Sequence, residues 1–313
     1  MSKIKFAVLG AGSIGLGWAI VFARSKSDVV VYDVKQEMLD NFWIQLRSRL
    51  ALLASNGLLT EGIDTVASRI SVTLDLSHAV SNVDYVQECV PEDLRLKQNI
   101  FRNLEDLSSP TAILASSSSA LTATEFAYNL ASNHRCLVVH PGNPPYLLSI
   151  AEVVPATFTS AESVESTMNI LRNVGMIPVK ISTEPKGFVF NRLQGAILRE
   201  AYCLVRDGVI SAQDLDLIVT EGLGKRWSIT GPFATAALNV QGGIKAHAER
   251  MGKSYFEMGL IRGQNDPWEA GLIEQVSNEM ESKLANENWK INTEIRDLAL
   301  MKINKSLSQI VKP

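Results

Sequence analysis

A histidine and a glutamate lie twelve residues apart, each at an unusual place beside or within an apolar run. His140 follows the apolar residues 137–139 and precedes the proline-rich loop 141–145, which is typical of a rigid connection. Glu152 interrupts the apolar run 150–155, where a carboxylate is costly to bury without a partner. A histidine partner would relieve that cost, and the carboxylate would fix the imidazole tautomer and raise its basicity. The pair predicts a general base with an orienting carboxylate. The alternative is a structural histidine with Glu152 facing solvent on an edge strand.

A glycine-rich turn occurs near the start of the chain. The motif GAGSIG at residues 10–15 follows the apolar run 4–9 and opens an amphipathic segment at 14–23. In this context Gly10 allows a tight turn, Gly12 lets the backbone approach a pyrophosphate, and Gly15 allows close helix–strand contact. The helix that begins at Ser13 and Ile14 would offer free N–H groups to the phosphates.

Asp33 ends the next apolar run, 29–32, and stands 18 residues after Gly15. An acid at this position can accept both ribose hydroxyls of NAD and would repel the 2′-phosphate of NADP. The turn and the acid together predict an NAD site. The alternative is an ordinary strand–helix turn followed by a solvated acid.

The order of predicted elements changes near the middle of the chain. Continuous apolar runs, as expected for parallel strands covered on both faces, lie at 4–9, 29–32, 70–73, 85–89, 112–115 and 135–140. Helical patterns lie between them, notably at 37–54 and 96–107, and they dominate after residue 183, at 187–207 and 212–221. We predict an α/β domain with a doubly wound sheet over 1–183, followed by an all-α domain over 184–313. The boundary is expected in the segment 183–187, which contains Pro and Gly.

Composition excludes several other classes of protein. The 313 residues include 30 Lys and Arg against 33 Asp and Glu, a net charge of -3, which argues against a dedicated nucleic-acid binder. No apolar run approaches the roughly 18–20 residues that span a bilayer, so no membrane partner is expected. The first residues do not resemble a secretory signal. The three cysteines, Cys89, Cys136 and Cys203, show no CxxC spacing and predict neither a disulfide framework nor a metal site. We therefore expect a cytoplasmic protein.

Six collinear motifs carry a resemblance to a known family. They read GAGSIG at 10–15, QECVPE at 87–92, SSSS at 116–119, HPGNPPY at 140–146, GFVFNRLQ at 187–194 and GLGKR at 222–226. With these motifs the chain resembles the 3-hydroxyacyl-CoA dehydrogenase superfamily, and within it the lambda-crystallin / L-gulonate 3-dehydrogenase branch. The resemblance implies a Rossmann-type NAD-binding domain, a helical second domain that binds substrate, and a homodimer formed through the helical domain.

The resemblance also implies roles for individual residues. His140 matches the general base and Glu152 its orienting carboxylate. Ser119 matches the serine that hydrogen-bonds the reacting oxygen, and Asn191 matches the asparagine that polarises the substrate carbonyl. Positions near the nicotinamide ribose and ring are matched by Glu92, Lys97 and Asn143. As structural alternatives, Ser119 would cap the next helix and Asn191 would pack between helices.

Departures from the acyl-CoA members of the family concern the substrate. Ser117-Ser118-Ser119 stands where those members usually read Asn-Thr-Ser, and Pro144-Pro145-Tyr146 replaces bulkier apolar residues. Gly142 stands where the lambda-crystallin pattern has valine. Arg226 has no usual counterpart, and a guanidinium can bind a free carboxylate through two parallel hydrogen bonds that a thioester does not offer. We expect Arg226 to bind the carboxylate of a small 3-hydroxy acid, the alternative being a surface arginine.

Four functions follow from these features. The first is NAD-dependent oxidation of a small 3-hydroxycarboxylic acid, with L-gulonate, oxidised to 3-dehydro-L-gulonate, as the best single candidate. The second is an L-carnitine dehydrogenase, in which Trp227 and Tyr146 could provide an aromatic surface for the quaternary ammonium. The third is a 3-hydroxyacyl-CoA dehydrogenase. The fourth is a crystallin-like structural protein that binds dinucleotide without turnover.

Overall fold

The computed structural model describes residues 4–261, 269–281 and 288–307. The chain divides into two compact units. The first consists of Met1–Arg192 with Leu300–Lys305, and the second of Leu193–Ala299 with Ser306–Pro313.

The first unit is built on one sheet of eight strands. These are β1 Lys5–Leu9, β2 Asp28–Tyr32, β3 Ile70–Thr73, β4 Tyr85–Glu88, β5 Ile113–Ser116, β6 Cys136–Pro141, β7 Ile150–Pro155 and β8 Ile177–Lys180. The strand order is β3-β2-β1-β4-β5-β6-β7-β8, and only β6 and β7 pair antiparallel. The six strands predicted from continuous apolar runs are confirmed to within one residue at each end. The central strands β4, β5 and β6 are buried at every residue, as expected for strands covered on both faces.

Helices cover this sheet. They are α1 Ser13–Arg24, α2 Gln36–Ser55, α3 Ile63–Ala67, α4 Leu76–Val80, α5 Leu94–Leu107, α6 Ala123–Ala127 and α7 Ala161–Asn173. The helix α1 is anchored by aromatic stacking. Its Phe22 ring stacks on Phe6 of β1 with centroids 4.0 Å apart, and on Trp18 at 5.2 Å. All three rings are fully buried, so α1 is fixed to the sheet over its length.

The second unit is helical, as predicted. Most of α8, Phe190–Arg206, belongs to this unit, and it is followed by α9 Ala212–Ile218, α10 Gly224–Trp227, α11 Pro232–Leu238, α12 Gly243–Ile261 and α13 Ala270–Glu281. The last helix, α14 Trp289–Leu307, belongs to this unit except for Leu300–Lys305, which are part of the first. The predicted helix at 212–221 is shorter than expected, because residues Val219–Leu223 form a π-helical turn. Within the described part of the chain, no helix is long and apolar enough to cross a membrane.

Candidate active site

The glycine-rich turn connects β1 to α1. Gly10 has a φ of +104°, and a Cβ there would lie 2.7 Å from the carbonyl oxygen of Cys89. A Cβ on Gly15 would lie 1.9 Å from the carbonyl oxygen of Gly10, so neither position accepts a larger residue without a shift. Gly12 differs, since a Cβ there would meet nothing within 4 Å. Gly10 and Gly15 thus leave no room for a side chain, whereas the backbone at Gly12 borders open space. A pyrophosphate could approach the backbone there.

The N-terminus of α1 faces the same turn. Gly12 is its N-cap residue, and no side chain caps the helix. The N–H groups of Ser13 and Ile14 are thus in the first turn of a helix whose end is open to an anion. The strand β1 lies between β2 and β4, so the turn is at the reversal of strand order, where doubly wound sheets bind dinucleotides.

Asp33 lies beside this turn, immediately after β2. One carboxylate oxygen accepts the N–H of Ala11 at 2.9 Å, and the other accepts the N–H of Lys35 at 3.1 Å. Each carboxylate oxygen has a second lone pair that remains for a ribose hydroxyl. The residues present therefore fit an NAD molecule.

His140 and Glu152 are direct neighbours across the antiparallel pair of strands. The register of β6 and β7 sets these two residues opposite each other, with His140 Nδ1 lying 2.8 Å from Glu152 Oε2. Their side chains are 8% and 6% exposed. The alternative in which Glu152 faces solvent on an edge strand is wrong, because β7 lies between β6 and β8 and the carboxylate is buried.

The second oxygen of Glu152 holds the start of α8. Its Oε1 accepts the backbone N–H groups of Val189 at 2.8 Å and Phe190 at 2.9 Å. Burial alone would raise the pKa of Glu152, but hydrogen bonds from His140 and these two N–H groups outweigh it and lower the pKa. The carboxylate is therefore ionised and accepts a hydrogen bond from His140 Nδ1–H. The Nε2 atom is then the acceptor on the neutral ring, a tautomer that follows from the hydrogen-bond partner.

The helix α8 begins later than the predicted residue 187. Gly187 and Phe188 both have left-handed backbone conformations, with φ of +75° and +49°. Helical geometry cannot include such residues, so α8 begins at Phe190. The Phe188 side chain is fully buried, and its ring centroid lies 5.7 Å from that of His140. A positive φ is costly for a residue other than glycine, so the contacts around Phe188 must hold it in this conformation beside His140.

Ser119 is exposed on the turn after β5. Its hydroxyl makes no hydrogen bond to any residue that the structure describes, so it is available to a ligand. The expectation that Ser119 might instead cap the next helix is wrong. Thr122 caps α6, where its side chain and that of Glu125 form a reciprocal capping box.

Asn191 contacts the same turn. Its Nδ2 donates a hydrogen bond to the carbonyl oxygen of Ser119 at 3.2 Å. Asn191 directly follows Phe190, whose N–H binds the carboxylate that holds His140. A continuous set of contacts thus links His140, Glu152, Asn191 and Ser119, and the partner of Asn191 is a loop carbonyl rather than another helix.

The three residues expected near the nicotinamide have different surroundings. Lys97 is buried in α5, with its ammonium 2.9 Å from both carboxylate oxygens of Glu88. Glu92 is 38% exposed, and its Oε2 lies 3.5 Å from the Lys97 ammonium. Asn143 is exposed on the loop between β6 and β7.

Several polar side chains at the carboxyl ends of β4 and β5 were given no individual role by the sequence. Ser117 Oγ accepts hydrogen bonds from Trp18 Nε1 at 3.1 Å and from Gln87 Nε2 at 2.8 Å. Gln87 and Glu88 end a strand in which all four residues are buried. The signal that could have revealed them is the occurrence of two adjacent polar residues at the end of an apolar strand.

Arg226 lies in the second unit, on α10, and is exposed. Among the described residues, its guanidinium makes no hydrogen bond or ion pair. Its assignment to a substrate carboxylate stays a prediction.

Comparisons with known proteins identify the family of the chain. Residues 5–184 match the 3-hydroxyacyl-CoA dehydrogenase NAD binding domain, and residues 187–281 match the 3-hydroxyacyl-CoA dehydrogenase C-terminal domain. The lambda-crystallin homolog of Homo sapiens is 34% identical over 97% of this chain and 96% of its own length. L-carnitine dehydrogenase of Streptomyces coelicolor is 35% identical over 78% of this chain and 76% of its own.

A solved structure also covers nearly the whole chain. It is 5-formyl-3-hydroxy-2-methylpyridine 4-carboxylic acid 5-dehydrogenase, described as an NAD+-dependent dismutase. The TM-score is 0.83 at 26% identity, with 99% of this chain and 100% of that chain covered. Together with the dinucleotide turn, these matches show that the chain belongs to the 3-hydroxyacyl-CoA dehydrogenase family of NAD-dependent dehydrogenases.

Proposed function

We propose that this enzyme oxidises the 3-hydroxyl of a small 3-hydroxycarboxylic acid, with L-gulonate, oxidised to 3-dehydro-L-gulonate, as the first candidate. The observation that carries the proposal is the buried contact of 2.8 Å between His140 Nδ1 and Glu152 Oε2. Oxidation of a secondary alcohol needs a base for the hydroxyl proton, and this pair has the composition of such a base. Bound NAD supplies the hydride acceptor.

His140 takes the substrate proton at Nε2 in this proposal. Glu152 keeps Nδ1 protonated and stabilises the imidazolium that forms when the proton arrives. The two backbone N–H groups that bind its Oε1 hold the carboxylate still, so the ring orientation is set before substrate binds. The base is therefore preorganised rather than assembled by the substrate.

Ser119 and Asn191 bind the reacting oxygen. The Ser119 hydroxyl is exposed, and one amide N–H of Asn191 remains after the bond to the Ser119 carbonyl. Two donors directed at this oxygen stabilise the negative charge that grows on it as its proton leaves. NAD would be held by the glycine turn, Gly10, Gly12, Ser13, Ile14 and Gly15, by Asp33 at the ribose, and by Glu92, Lys97 and Asn143 near the nicotinamide.

The free carboxylate is the second part of the substrate proposal. Arg226 is assigned to it, because a guanidinium binds a carboxylate through two hydrogen bonds. The names of two relatives support a free acid. One acts on a pyridine carboxylic acid, and the other on L-carnitine, which is itself a 3-hydroxy acid.

L-carnitine is the second candidate substrate, favoured by the relative that is 35% identical. L-carnitine carries a quaternary ammonium, and its binding would need an exposed aromatic side chain in the pocket. Tyr146 was expected to contribute, but it is only 9% exposed, which leaves Trp227 as the residue that would serve.

The deciding experiment compares initial rates of NADH formation with L-gulonate, L-carnitine and 3-hydroxybutyryl-CoA. Each substrate is tested with the wild type and with His140→Ala, and NADH binding is measured by fluorescence for both proteins. Turnover of a free acid that is lost in His140→Ala, with NADH still bound, is the expected result. Turnover of the CoA ester alone contradicts the free-acid proposal, and NADH binding without any turnover supports a crystallin-like role.

We also propose that the protein is a homodimer and that it is located in the cytoplasm. The division between its two domains is proposed at 183/184. The dimer is supported by large apolar side chains that are exposed on helices of the second unit, among them Phe233, Leu238, Phe256, Leu260 and Ile261. The location is supported by the sparse and odd set of cysteines. Light scattering coupled to size-exclusion chromatography tests the dimer, and a mass equal to one chain contradicts it.

A further inference from the structure

A buried ion pair lies at the carboxyl end of β4, next to the serine run. The side chain of Glu88 is 0% exposed and that of Lys97 is 1% exposed. The Lys97 ammonium lies 2.9 Å from each of the two carboxylate oxygens. Burying two charges is expensive, and replacing such a pair by apolar residues is often neutral for stability. Glu88 has no role in the proposed reaction, so its presence at this depth calls for another explanation.

The carboxylate of Glu88 joins three elements of the fold. Its Oε1 accepts the backbone N–H of Val90 at 2.6 Å, and its Oε2 accepts the hydroxyl of Ser116, at the end of β5, at 2.5 Å. Lys97 adds α5. Burial raises the pKa of Glu88, and the Lys97 ammonium and these hydrogen bonds oppose the rise. The same ammonium lies 3.5 Å from Glu92 Oε2, so Lys97 lies between two carboxylates.

Glu92 continues these contacts to the turn that carries Ser119. Its Oε1 accepts three hydrogen bonds, from the Ser118 hydroxyl at 2.5 Å and from the N–H groups of Ala120 at 2.9 Å and Leu121 at 3.0 Å. Partial burial would raise the pKa of Glu92, but these hydrogen bonds and a nearby ammonium lower it. The three donors lie on both sides of Ser119, so this one oxygen fixes the backbone around the exposed hydroxyl.

We infer that Glu88 is a positioning residue that acts through Lys97 and Glu92 to hold Ser119 in place for the substrate. This inference rests on the proposed function, which makes Ser119 a donor to the reacting oxygen. Without the charge of Glu88, the buried Lys97 ammonium has Glu92 as its remaining counter-ion. The ammonium then draws Glu92 inward, away from the turn, and the carbonyl of Ser119 that accepts from Asn191 moves as well.

The first test is Glu88→Gln, which keeps the shape of the side chain and removes its charge. Hydrogen exchange at the amides of Ala120 and Leu121, followed by NMR, should accelerate, by about 10-fold at Ala120, because Glu92 Oε1 is displaced. The effect at Leu121 should be smaller, since its N–H also donates to Ser118 Oγ at 2.8 Å. The value of kcat should fall roughly 10-fold, since a reacting-oxygen donor is misplaced. The matched control is Glu61→Gln, which weakens the ion pair with Arg69, at 2.7 Å, elsewhere in the same unit. It should lower the melting temperature without changing either readout.

The second test combines Glu88→Gln with Ser119→Ala. If Glu88 acts through Ser119, kcat of the double variant should lie within about 2-fold of that of Ser119→Ala alone. Losses that multiply would overturn the inference. Unchanged exchange at the two amides of the turn would overturn it too.

A variant that lacks both buried charges distinguishes a folding defect from a positioning defect. Should Glu88→Gln fail to fold, Glu88→Gln combined with Lys97→Met removes both buried charges, and such replacements are often tolerated. This variant should fold and show the slow amide exchange of the wild type at Ala120 and Leu121, because no ammonium remains to draw Glu92 away from the turn. Exchange that stays fast would overturn the inference; kcat is not used for this variant, since Lys97 is also proposed to lie near the nicotinamide. If the wild type oxidises none of the tested acids, the proposed function fails, and amide exchange alone then decides the role of Glu88.

Discussion

Gly17 brings the phosphate-binding helix into contact with the histidine loop, and Gly17→Ala tests whether that contact sets the catalytic geometry. A Cβ at this position would lie 2.5 Å from Pro145 Cδ and 2.9 Å from Pro145 Cγ. Ordinary contact begins at 3.4 Å, so the two elements must separate by about 1 Å. The helix is held by the fully buried rings of Trp18 and Phe22, and we therefore expect the loop to move.

The free-energy terms of this substitution oppose each other. Alanine in the interior of a helix is about 1 kcal/mol more favourable than glycine. Overpacking against a rigid proline costs about 1–3 kcal/mol. The net loss of stability is then about 0–2 kcal/mol, which corresponds to a fall in melting temperature of no more than about 8 °C for a unit of this size. The kinetic effect is larger, because a misplacement of about 1 Å can lower the rate about 100-fold.

The assay measures kcat with the best substrate, NADH affinity by fluorescence, and the melting temperature. We expect kcat to fall between about 10-fold and 100-fold, with NADH affinity unchanged, since α1 stays in place. The matched control is Gly252→Ala in α12, where a Cβ would meet nothing within 4 Å. It should raise the melting temperature slightly and leave kcat unchanged. An unchanged kcat in Gly17→Ala would refute the reasoning, as would a loss confined to NADH affinity.

Four further predictions follow from the site. Asp33→Ala should raise the KM for NAD and allow NADP to be used, because the repulsion of the 2′-phosphate is removed; equal cofactor preference before and after contradicts this. Arg226→Met should raise the KM for the hydroxy acid at least about 10-fold with NADH affinity unchanged, and identical kinetics would exclude Arg226 from the pocket. Glu152 has a lowered pKa, so its stabilising contribution is fully present above the usual pKa of a glutamate and is lost as the pH falls through the lowered value. The melting temperature of the wild type should therefore exceed that of Glu152→Gln at about pH 7, and the difference should shrink as the pH is lowered into the acid range. Gly142→Val should destabilise the protein by about 1–3 kcal/mol in urea unfolding, because a Cβ there would lie 2.8 Å from the Leu148 side chain.

The sheet could be predicted from the sequence where burial on both faces produces a continuous apolar run. The bounds of β4, β5 and β6, whose residues are all buried, were predicted to within one residue for this reason. The edge strand β3 was predicted without error although only Ile70 of its four residues is buried, because its β-branched residues favour a strand. The last strand, β8, was not predicted. It lies at the edge of the sheet, contains Pro178 and is mostly exposed, so selection for apolar residues is weak there.

The candidate site was predictable to the extent that it depends on spacing along the chain. The glycine turn, Asp33 and the His140–Glu152 proximity all follow from residues in successive elements. The contacts that hold the site were not predictable in the same way. Trp18 and Ser117 are 99 residues apart, and only the folded sheet brings the indole N–H to the hydroxyl. The position of Ser119 likewise depends on Glu92, 27 residues earlier, whose carboxylate binds the backbone around it rather than its side chain.

The antiparallel pairing of β6 with β7 has a consequence for how such enzymes can diverge. The register sets His140 opposite Glu152, so their contact depends on strand pairing and not on the residues between them. The connecting segment, residues 142–149, can therefore change without separating His140 from Glu152, provided that the close approach of Pro145 to Gly17 is kept. Slippage of one residue would be different, because it would turn Glu152 to the other face of the sheet. Substrate preference can thus be altered in the loop while the proton chemistry is inherited through the strands.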